Sequence, residues 1–146
     1  MDFMPLANCR IFYLEDDYFI ADDTRETLTA AGAEVSYCAT MPRALGLVER
    51  LQFDAALLDL NLAGKSSVPV ARVLRQANVP FVFLTSYTRE VLPDDLSTSS
   101  LLTKPSDGVE VVRELEKQLQ LSGAHKGQEG CRRTPSDESD ATRLKS

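Results

Sequence analysis

Residues 12–21 read FYLEDDYFIA and place three consecutive acidic residues, Glu15, Asp16 and Asp17, directly after an apolar run. The apolar run predicts a buried strand that ends where the charges begin. Carboxylates crowded at the edge of a core repel each other and raise one another's pKa values. Because a charge run is usually only a solvated face, its meaning depends on what the rest of the chain brings to the same edge.

The bulk composition indicates one globular domain. The chain has 146 residues, of which 43% are hydrophobic and 26% are charged, and its net charge is −6. An acidic balance argues against direct binding to nucleic acid, whose protein partners are basic. No apolar run reaches the length of a membrane span, and the first residues lack the layout of a secretory signal. We therefore expect a cytoplasmic protein with no membrane association.

The cysteines give no pattern of their own. Cys9, Cys38 and Cys131 are scattered, odd in number and without a C-x-x-C pair. Such spacing predicts neither a disulfide framework nor a zinc site. Cys38 lies in a strand-like run and is interpreted as a small buried apolar residue.

Short apolar runs alternate with longer amphipathic segments along the chain. The pattern predicts strands at residues 10–14, 33–39, 53–60, 79–86 and 100–105, with helices at 17–31, 40–51, 67–76 and 107–121. Gly32 is placed to end the first helix. The last helix has Val109, Val112, Leu115 and Leu119 at helical spacing. Between the fourth and fifth strands, Pro93 and the scarcity of apolar residues allow at most a short helix.

Strands that alternate with helices predict right-handed βαβ crossovers and an α/β fold with a parallel sheet between helices. We place the domain at residues 10–121, after a lead of residues 1–9. Residues 122–146 are polar, mixed in charge and poor in large apolar groups, so we expect this tail to be disordered.

Several chemically capable side chains stand where the predicted strands end. In an open α/β sheet, ligands bind at the carboxyl ends of the strands. The residues at those ends are Glu15 and Asp16 on the first strand, Asp59 on the third, Thr85 and Ser86 on the fourth, and Lys104 on the fifth. As an ordered set these residues are much stronger evidence for a site than any of them is alone.

Four separated motifs carry a resemblance to a known family. They are FYLEDD, ALLDLNLAG, FVFLTS and LLTKP, each on the predicted element that it should occupy. Over residues 10–121 the chain resembles the receiver domain of two-component response regulators. The resemblance implies a doubly wound, flavodoxin-like sheet of order 2-1-3-4-5, with a shortened fourth helix in this chain.

The resemblance also implies a site chemistry. It makes Asp59 the residue that is phosphorylated, and Asp16, Asp59 and the backbone carbonyl of Asn61 the protein ligands of Mg²⁺. Glu15 would act on the metal through a bound water. Thr85 and Lys104 would contact the phosphoryl oxygens, and Ser86 would leave room beside them. Asp17 has a plainer interpretation as the residue that opens the first helix, and the bond before Pro105 is expected to be cis.

The chain departs from the family pattern at two places. Leu101 stands where receivers usually have an aromatic switch residue. Ala63, followed by Gly64, stands where the loop after the phosphorylated aspartate usually has a proline. We therefore expect the signal to pass through Thr85 and the loop at residues 87–96, with Leu101 merely packed.

The functional expectation is a stand-alone receiver that is phosphorylated by a histidine kinase or phosphotransfer protein. It would act on a downstream protein by direct contact and catalyse only its own phosphoryl transfer and dephosphorylation. The alternative is a receiver-like interaction module that works without phosphorylation. A haloacid-dehalogenase-type phosphatase fits less well because Asn61 stands where it needs a second aspartate. A dinucleotide-binding domain lacks its glycine-rich loop.

Overall fold

The computed structural model describes residues 4–86, 92–123 and 130–131. Four helices and five of the seven strands occur in the order that the sequence predicts. The strands are β1 (Arg10–Leu14), β2 (Glu34–Cys38), β3 (Ala55–Asp59), β4 (Asn61–Leu62), β5 (Lys65–Ser66), β6 (Phe81–Thr85) and β7 (Ser100–Thr103). The helices are α1 (Tyr18–Ala30), α2 (Met41–Arg50), α3 (Val68–Gln76) and α4 (Gly108–Ser122). Within the described ranges, none of these helices has both the length and the apolarity needed to cross a bilayer.

The main sheet has five parallel strands in the order β2-β1-β3-β6-β7. Because β4 and β5 lie outside this sheet, the order is the predicted 2-1-3-4-5, and the flavodoxin-like fold is confirmed. Leu14 pairs with Leu58 across the neighbouring strands β1 and β3. Glu15 and Asp59 therefore leave adjacent strands at the same edge of the sheet.

The sheet is covered on both faces, as a doubly wound fold requires. Successive side chains of one strand point to opposite faces, so Phe12 and Leu14 belong to one apolar cluster and Ile11 and Tyr13 to the other. The first cluster includes residues of α2 and α3, and the second includes residues of α1 and α4. β3 and β6 are buried along their whole lengths, which explains their almost unbroken apolar sequences.

The first helix, α1, begins with a side-chain cap. Asp17 caps α1 by accepting hydrogen bonds from the backbone N–H groups of Phe19 and Ile20, at 3.0 and 3.2 Å.

In α4 the buried stripe consists of Val111, Leu115 and Leu119. The prediction that Val109 belongs to this stripe is wrong, since its side chain is 62% exposed. Residues spaced by four define the face that packs on the sheet.

The segment that follows Asp59 forms a small antiparallel hairpin that the sequence analysis did not predict. β4 and β5 pair with Asn61 opposite Ser66 and Leu62 opposite Lys65. The turn residues Ala63 and Gly64 have φ values of 49° and 88°. Two consecutive positive φ values are characteristic of the tight type I′ hairpin turn. Ala63 thus adopts a positive φ value that a proline at this position could not adopt.

In the described residues between β6 and β7, the predicted short fourth helix is represented by one 3₁₀ turn at Asp94–Leu96. Leu96 anchors this turn because its side chain is buried in the cluster that includes residues of α2 and α3. Asp95 forms an exposed ion pair with Arg72 of α3 at 3.1 Å. Leu101 packs at the edge of the same cluster, as expected. Of the loop expected to carry the signal, residues 87–91 lie outside the described ranges.

A disulfide joins Cys9 to Cys131 across a sequence separation of 122 residues. The prediction that the cysteines form no disulfide is therefore wrong for this pair, because so long a separation leaves no local spacing signal. Cys38 is a buried free thiol, as interpreted. The backbone N–H of Cys131 donates to the carbonyl of Ala7 at 2.8 Å, and Gly130 lies so close to Ala7 that a Cβ would clash.

The C-terminal tail is described at only a few positions. Ser122 ends α4, and Gly123 follows in a left-handed conformation. The expectation of disorder from residue 122 onward does not hold at Gly130 and Cys131, which are buried. Backbone contact with Ala7 supplies the burial that the polar composition did not indicate. Residues 124–129 and 132–146 lie outside the described ranges.

We predict that Cys131→Ser lowers the free energy of unfolding by up to about 4 kcal/mol under oxidising conditions, because a cross-link over a long loop restricts the unfolded chain. Urea unfolding followed by circular dichroism measures the change. Wild-type protein kept in reductant is the matched control and should unfold with the variant. Equal stability of the variant and the oxidised wild type would contradict the prediction.

Candidate functional site

A cleft of about 240 Å³ opens at the carboxyl ends of β1, β3, β6 and β7. The residues that line it are Glu15, Asp16, Asp17, Ile20, Asp59, Asn61, Thr85, Ser86 and Lys104. All the residues that the sequence predicted for the site are therefore brought together. They come from different strands, and the parallel sheet places the ends of those strands along one edge.

Lys104 is the cation at the centre of the cleft. Its Nζ donates to Glu15 Oε1 at 2.7 Å and to Asp59 Oδ2 at 3.2 Å. One ammonium thus contacts carboxylates from both β1 and β3. Burial alone would lower the pKa of Lys104, but Glu15 and Asp59 outweigh it and raise that pKa above its usual value. The lysine is therefore a fixed positive charge.

Among the acids that line the cleft, Glu15 is the most buried and has no solvent-exposed surface. Burial raises the pKa of Glu15 to about 7; the neighbouring Asp59 adds to the rise and Lys104 opposes it. The second carboxylate oxygen, Oε2, accepts a hydrogen bond from the backbone N–H of Asp17 at 3.1 Å. Glu15 therefore links the lysine to the first turn of α1, and Lys104 partly offsets the cost of burying this acid.

Three carboxylates place oxygen atoms close to one another in the cleft. Ligand atoms of Glu15, Asp16 and Asp59 all lie within 4.8 Å of one another. Asp16 is exposed to solvent whereas Glu15 and Asp59 are buried. A set of hard oxygen donors that is open on one side fits Mg²⁺, which keeps several of its waters. Asp17 also lines the cleft, but its Oδ1 caps α1, so its helix-opening interpretation is confirmed.

The remaining predicted residues border the phosphorylation position expected at Asp59. The backbone N–H of Asn61 donates to Asp59 Oδ1 at 3.3 Å, while the Asn61 side chain accepts from the N–H of Gly64 inside the hairpin turn. The side chain of Asn61 is thus used by the turn. Thr85 is buried at the end of β6, and Ser86 follows it as an exposed residue. The Lys104–Pro105 bond is cis.

Two residues of this region were missed by the sequence analysis. Ile20, in the first turn of α1, lines the cleft. Tyr37 of β2 donates its hydroxyl to the backbone carbonyl of Glu15 at 2.6 Å. Spacing from the acidic run could have identified Ile20. No local signal marks Tyr37, because its contact depends on the register between β1 and β2.

Comparison with known proteins identifies the family, although no family model matches the chain. The chain is 30% identical over 113 residues to the sensory transduction protein RegX3 of Mycolicibacterium smegmatis, covering 75% of this chain and 50% of RegX3. It is 40% identical over 78 residues to the uncharacterized transcriptional regulatory protein YrkP of Bacillus subtilis, covering 53% of this chain and 33% of YrkP. The chain thus spans half or less of the length of these curated relatives.

Solved structures show a likeness over most of the chain. The N-terminal domain of a response regulator/sensory box/GGDEF 3-domain protein from Carboxydothermus hydrogenoformans has a TM-score of 0.70 at 25% identity. The match covers 79% of this chain and 97% of that domain. This chain is a response-regulator receiver. The receiver domain protein of Methanospirillum hungatei shares the fold, with a TM-score of 0.69, 22% identity, and coverage of 81% of this chain and 97% of that protein.

The raised pKa of Glu15 gives the metal-free receiver a testable pH dependence. The folded state holds a proton on Glu15 up to about pH 7, whereas the ordinary pKa of this group is 4.5. The folded state therefore binds the proton more tightly than the unfolded chain. Stability from this group is fully present below the unfolded pKa and is lost as the pH rises through 7.

We predict that Glu15→Gln removes this dependence. In EDTA, the wild type should lose up to about 3 kcal/mol more stability than the variant between pH 4 and pH 8. Urea unfolding at several pH values measures both slopes. Glu26→Gln, on an exposed position of α1, is the matched control and should follow the wild type. Parallel pH profiles for wild type and Glu15→Gln would refute the prediction.

Proposed function

We propose that this receiver is the phosphoacceptor of a two-component phosphorelay and takes a phosphoryl group on Asp59 in a reaction that depends on Mg²⁺. The observation that carries the proposal is the contact of Lys104 Nζ with both Glu15 and Asp59, in a cleft that also contains Asp16 and Thr85. A buried acid cluster with one fixed cation suits a reaction in which negative charge is transferred.

The donor set supports a divalent cation. Asp16 and Asp59 would bind it directly, together with the backbone carbonyl of Asn61, and Glu15 would act through a metal-bound water. The convergence of the three carboxylates within 4.8 Å supports this assignment, since Mg²⁺ prefers oxygen ligands. When bound, the ion neutralises charge on the phosphoryl oxygens.

The proposed reaction is nucleophilic. A carboxylate oxygen of Asp59 attacks the phosphorus of a phosphohistidine or of a small acyl phosphate, and a new O–P bond forms. The bond from phosphorus to the donor breaks, and its electron pair leaves with the donor imidazole or carboxylate. The product is an acyl phosphate on Asp59, a known form of carboxylate covalent catalysis.

The other cleft residues have positioning and electrostatic roles in this proposal. Lys104 already contacts Asp59 Oδ2, so its ammonium is close enough to pair with a transferred phosphoryl oxygen after a small movement. Thr85 would donate its hydroxyl to another oxygen. Ser86 is small and exposed beside Thr85, which leaves room for the group. Phosphoryl transfer depends mainly on such positioning and charge neutralisation.

The partners follow from the chemistry. A histidine kinase or phosphotransfer protein would supply the phosphoryl group, and a downstream protein would bind the phosphorylated state. The receiver would catalyse only its own phosphorylation and dephosphorylation.

We expect it to act in the cytoplasm, where ATP-derived donors are available. Because thiols are kept reduced there, the reaction should be measured with the Cys9–Cys131 pair both oxidised and reduced.

We predict that acetyl phosphate adds one phosphoryl group to the wild-type protein in Mg²⁺ and none in EDTA. Asp59→Asn should abolish the gain because the amide is not a nucleophile for this reaction. Intact-protein mass spectrometry detects the product. Asp22→Asn, which changes an exposed carboxylate on α1, is the matched control and should be phosphorylated normally.

A folded wild type that binds Mg²⁺ without gaining mass would contradict the proposal. That result would favour the receiver-like interaction module that works without phosphorylation. Gain of mass by Asp59→Asn equal to that of the wild type would instead reject Asp59 as the acceptor. When mass is gained, hydroxylamine treatment identifies the type of acceptor, because it cleaves an acyl phosphate and leaves phosphoserine or phosphothreonine intact.

A further inference from the structure

Tyr37 connects the edge strand of the sheet to the acidic turn of the site. It lies on β2, which pairs with β1 so that Tyr37 stands opposite Tyr13. Its hydroxyl donates to the backbone carbonyl of Glu15 at 2.6 Å. This carbonyl belongs to the peptide unit that joins Glu15 to Asp16. The hydrogen bond therefore acts on the orientation of the peptide that carries Asp16.

Glu15, the residue that follows β1, is tied to β2 at a second point. The backbone N–H of Glu15 donates to the carbonyl of Cys38 at 3.1 Å. Both backbone polar groups of Glu15 are thus satisfied by neighbouring residues of β2, one by the main chain and one by the Tyr37 side chain. The parallel ladder supplies the first bond in any sequence, but only a side chain of suitable length and polarity supplies the second.

The ring of Tyr37 is itself held in place. Its centroid lies 5.8 Å from that of Tyr13, and the guanidinium carbon of Arg25 lies 5.1 Å from the Tyr37 centroid. Arg25 belongs to α1, the helix that begins just after the acidic turn. A cation over a tyrosine face is an attractive arrangement. The hydroxyl therefore approaches Glu15 from a ring that contacts both β1 and α1.

We infer that Tyr37 is a positioning residue for the acid cluster and that its hydroxyl sets the affinity of the site for Mg²⁺. It orients the Glu15–Asp16 peptide so that the Asp16 carboxylate meets Glu15 and Asp59. The inference rests on the proposed function. It adds an edge-strand residue, outside the lining of the cleft, to the groups that determine how the receiver binds its metal.

The test is Tyr37→Phe, which removes the hydroxyl and keeps the ring beside Tyr13 and Arg25. Loss of one net hydrogen bond that favours the metal-binding geometry should weaken Mg²⁺ binding by about five-fold. Isothermal titration calorimetry measures the affinity, and the Mg²⁺ dependence of acetyl phosphate labelling measures the half-saturating concentration. At saturating Mg²⁺ the labelling rate should stay within about two-fold of wild type, as expected for a pure binding effect.

Two further variants keep the inference open to refutation. Tyr18→Phe removes a hydroxyl from a side chain that is 65% exposed at the start of α1, and it should leave Mg²⁺ affinity unchanged. Arg25→Gln leaves the Tyr37 hydroxyl but removes the cation near its ring, and it should weaken Mg²⁺ binding less than Tyr37→Phe. The amide signal of Asp16 in a ¹⁵N spectrum should shift in Tyr37→Phe before Mg²⁺ is added.

Unchanged Mg²⁺ affinity in Tyr37→Phe, or a lower rate at saturating Mg²⁺ with the affinity unchanged, would overturn the inference. An equal loss in Tyr18→Phe would also overturn it, because the effect would then be unspecific. A wild type that binds Mg²⁺ but is not phosphorylated would reject the proposed function while the affinity comparison still tests Tyr37. A wild type that binds no Mg²⁺ would reject both.

Discussion

The ion pairs of Lys104 with Glu15 and Asp59 are the interactions on which the rest of the site depends. Two buried carboxylates at the ends of adjacent strands would otherwise repel each other in a poorly solvated place. The ammonium from β7 reaches across β6 to both of them, because all the strand ends meet at one edge. These ion pairs therefore link the end of β7 to the ends of β1 and β3. Lys104 thus offsets part of the cost of placing Glu15 and Asp59 close together in a buried position.

The three consecutive acids after β1 have three different structural roles. Glu15 is buried and holds the lysine, Asp16 faces solvent beside it, and Asp17 caps α1. Alternation along a strand and the start of a helix send neighbouring side chains in different directions. Three adjacent carboxylates thus have three separate environments. The edge strand β2 supports the arrangement through Tyr37 and the carbonyl of Cys38.

Much of the fold and the list of cleft residues could be predicted, because both follow from local patterns. Apolar runs identified the five strands, and the chemistry at their carboxyl ends identified the cleft. What was missed depends on contacts between distant segments or on exact helix rotation: Tyr37 reaches Glu15 only through strand register, Cys9 meets Cys131 only in the folded chain, and Val109 lies just off the buried face of α4. The hairpin after Asp59 required two positive φ values, and only Gly64 favours such a value.

The Cys9–Cys131 disulfide has a consequence for the order of events during synthesis. Cys9 leaves the ribosome early, and its partner Cys131 is made only after the whole domain at residues 10–121. Cys38 is available much sooner as a wrong partner. Pairing of β1 with β2 prevents that mistake, because Cys38 stands opposite Leu14 while Cys9 precedes Arg10 at the other end of the strand. Five extended residues hold the two sulfurs roughly 15 Å apart. In the paired strands Cys38 is therefore kept away from Cys9, and the cysteine that reaches Cys9 is the one that follows α4 in the chain.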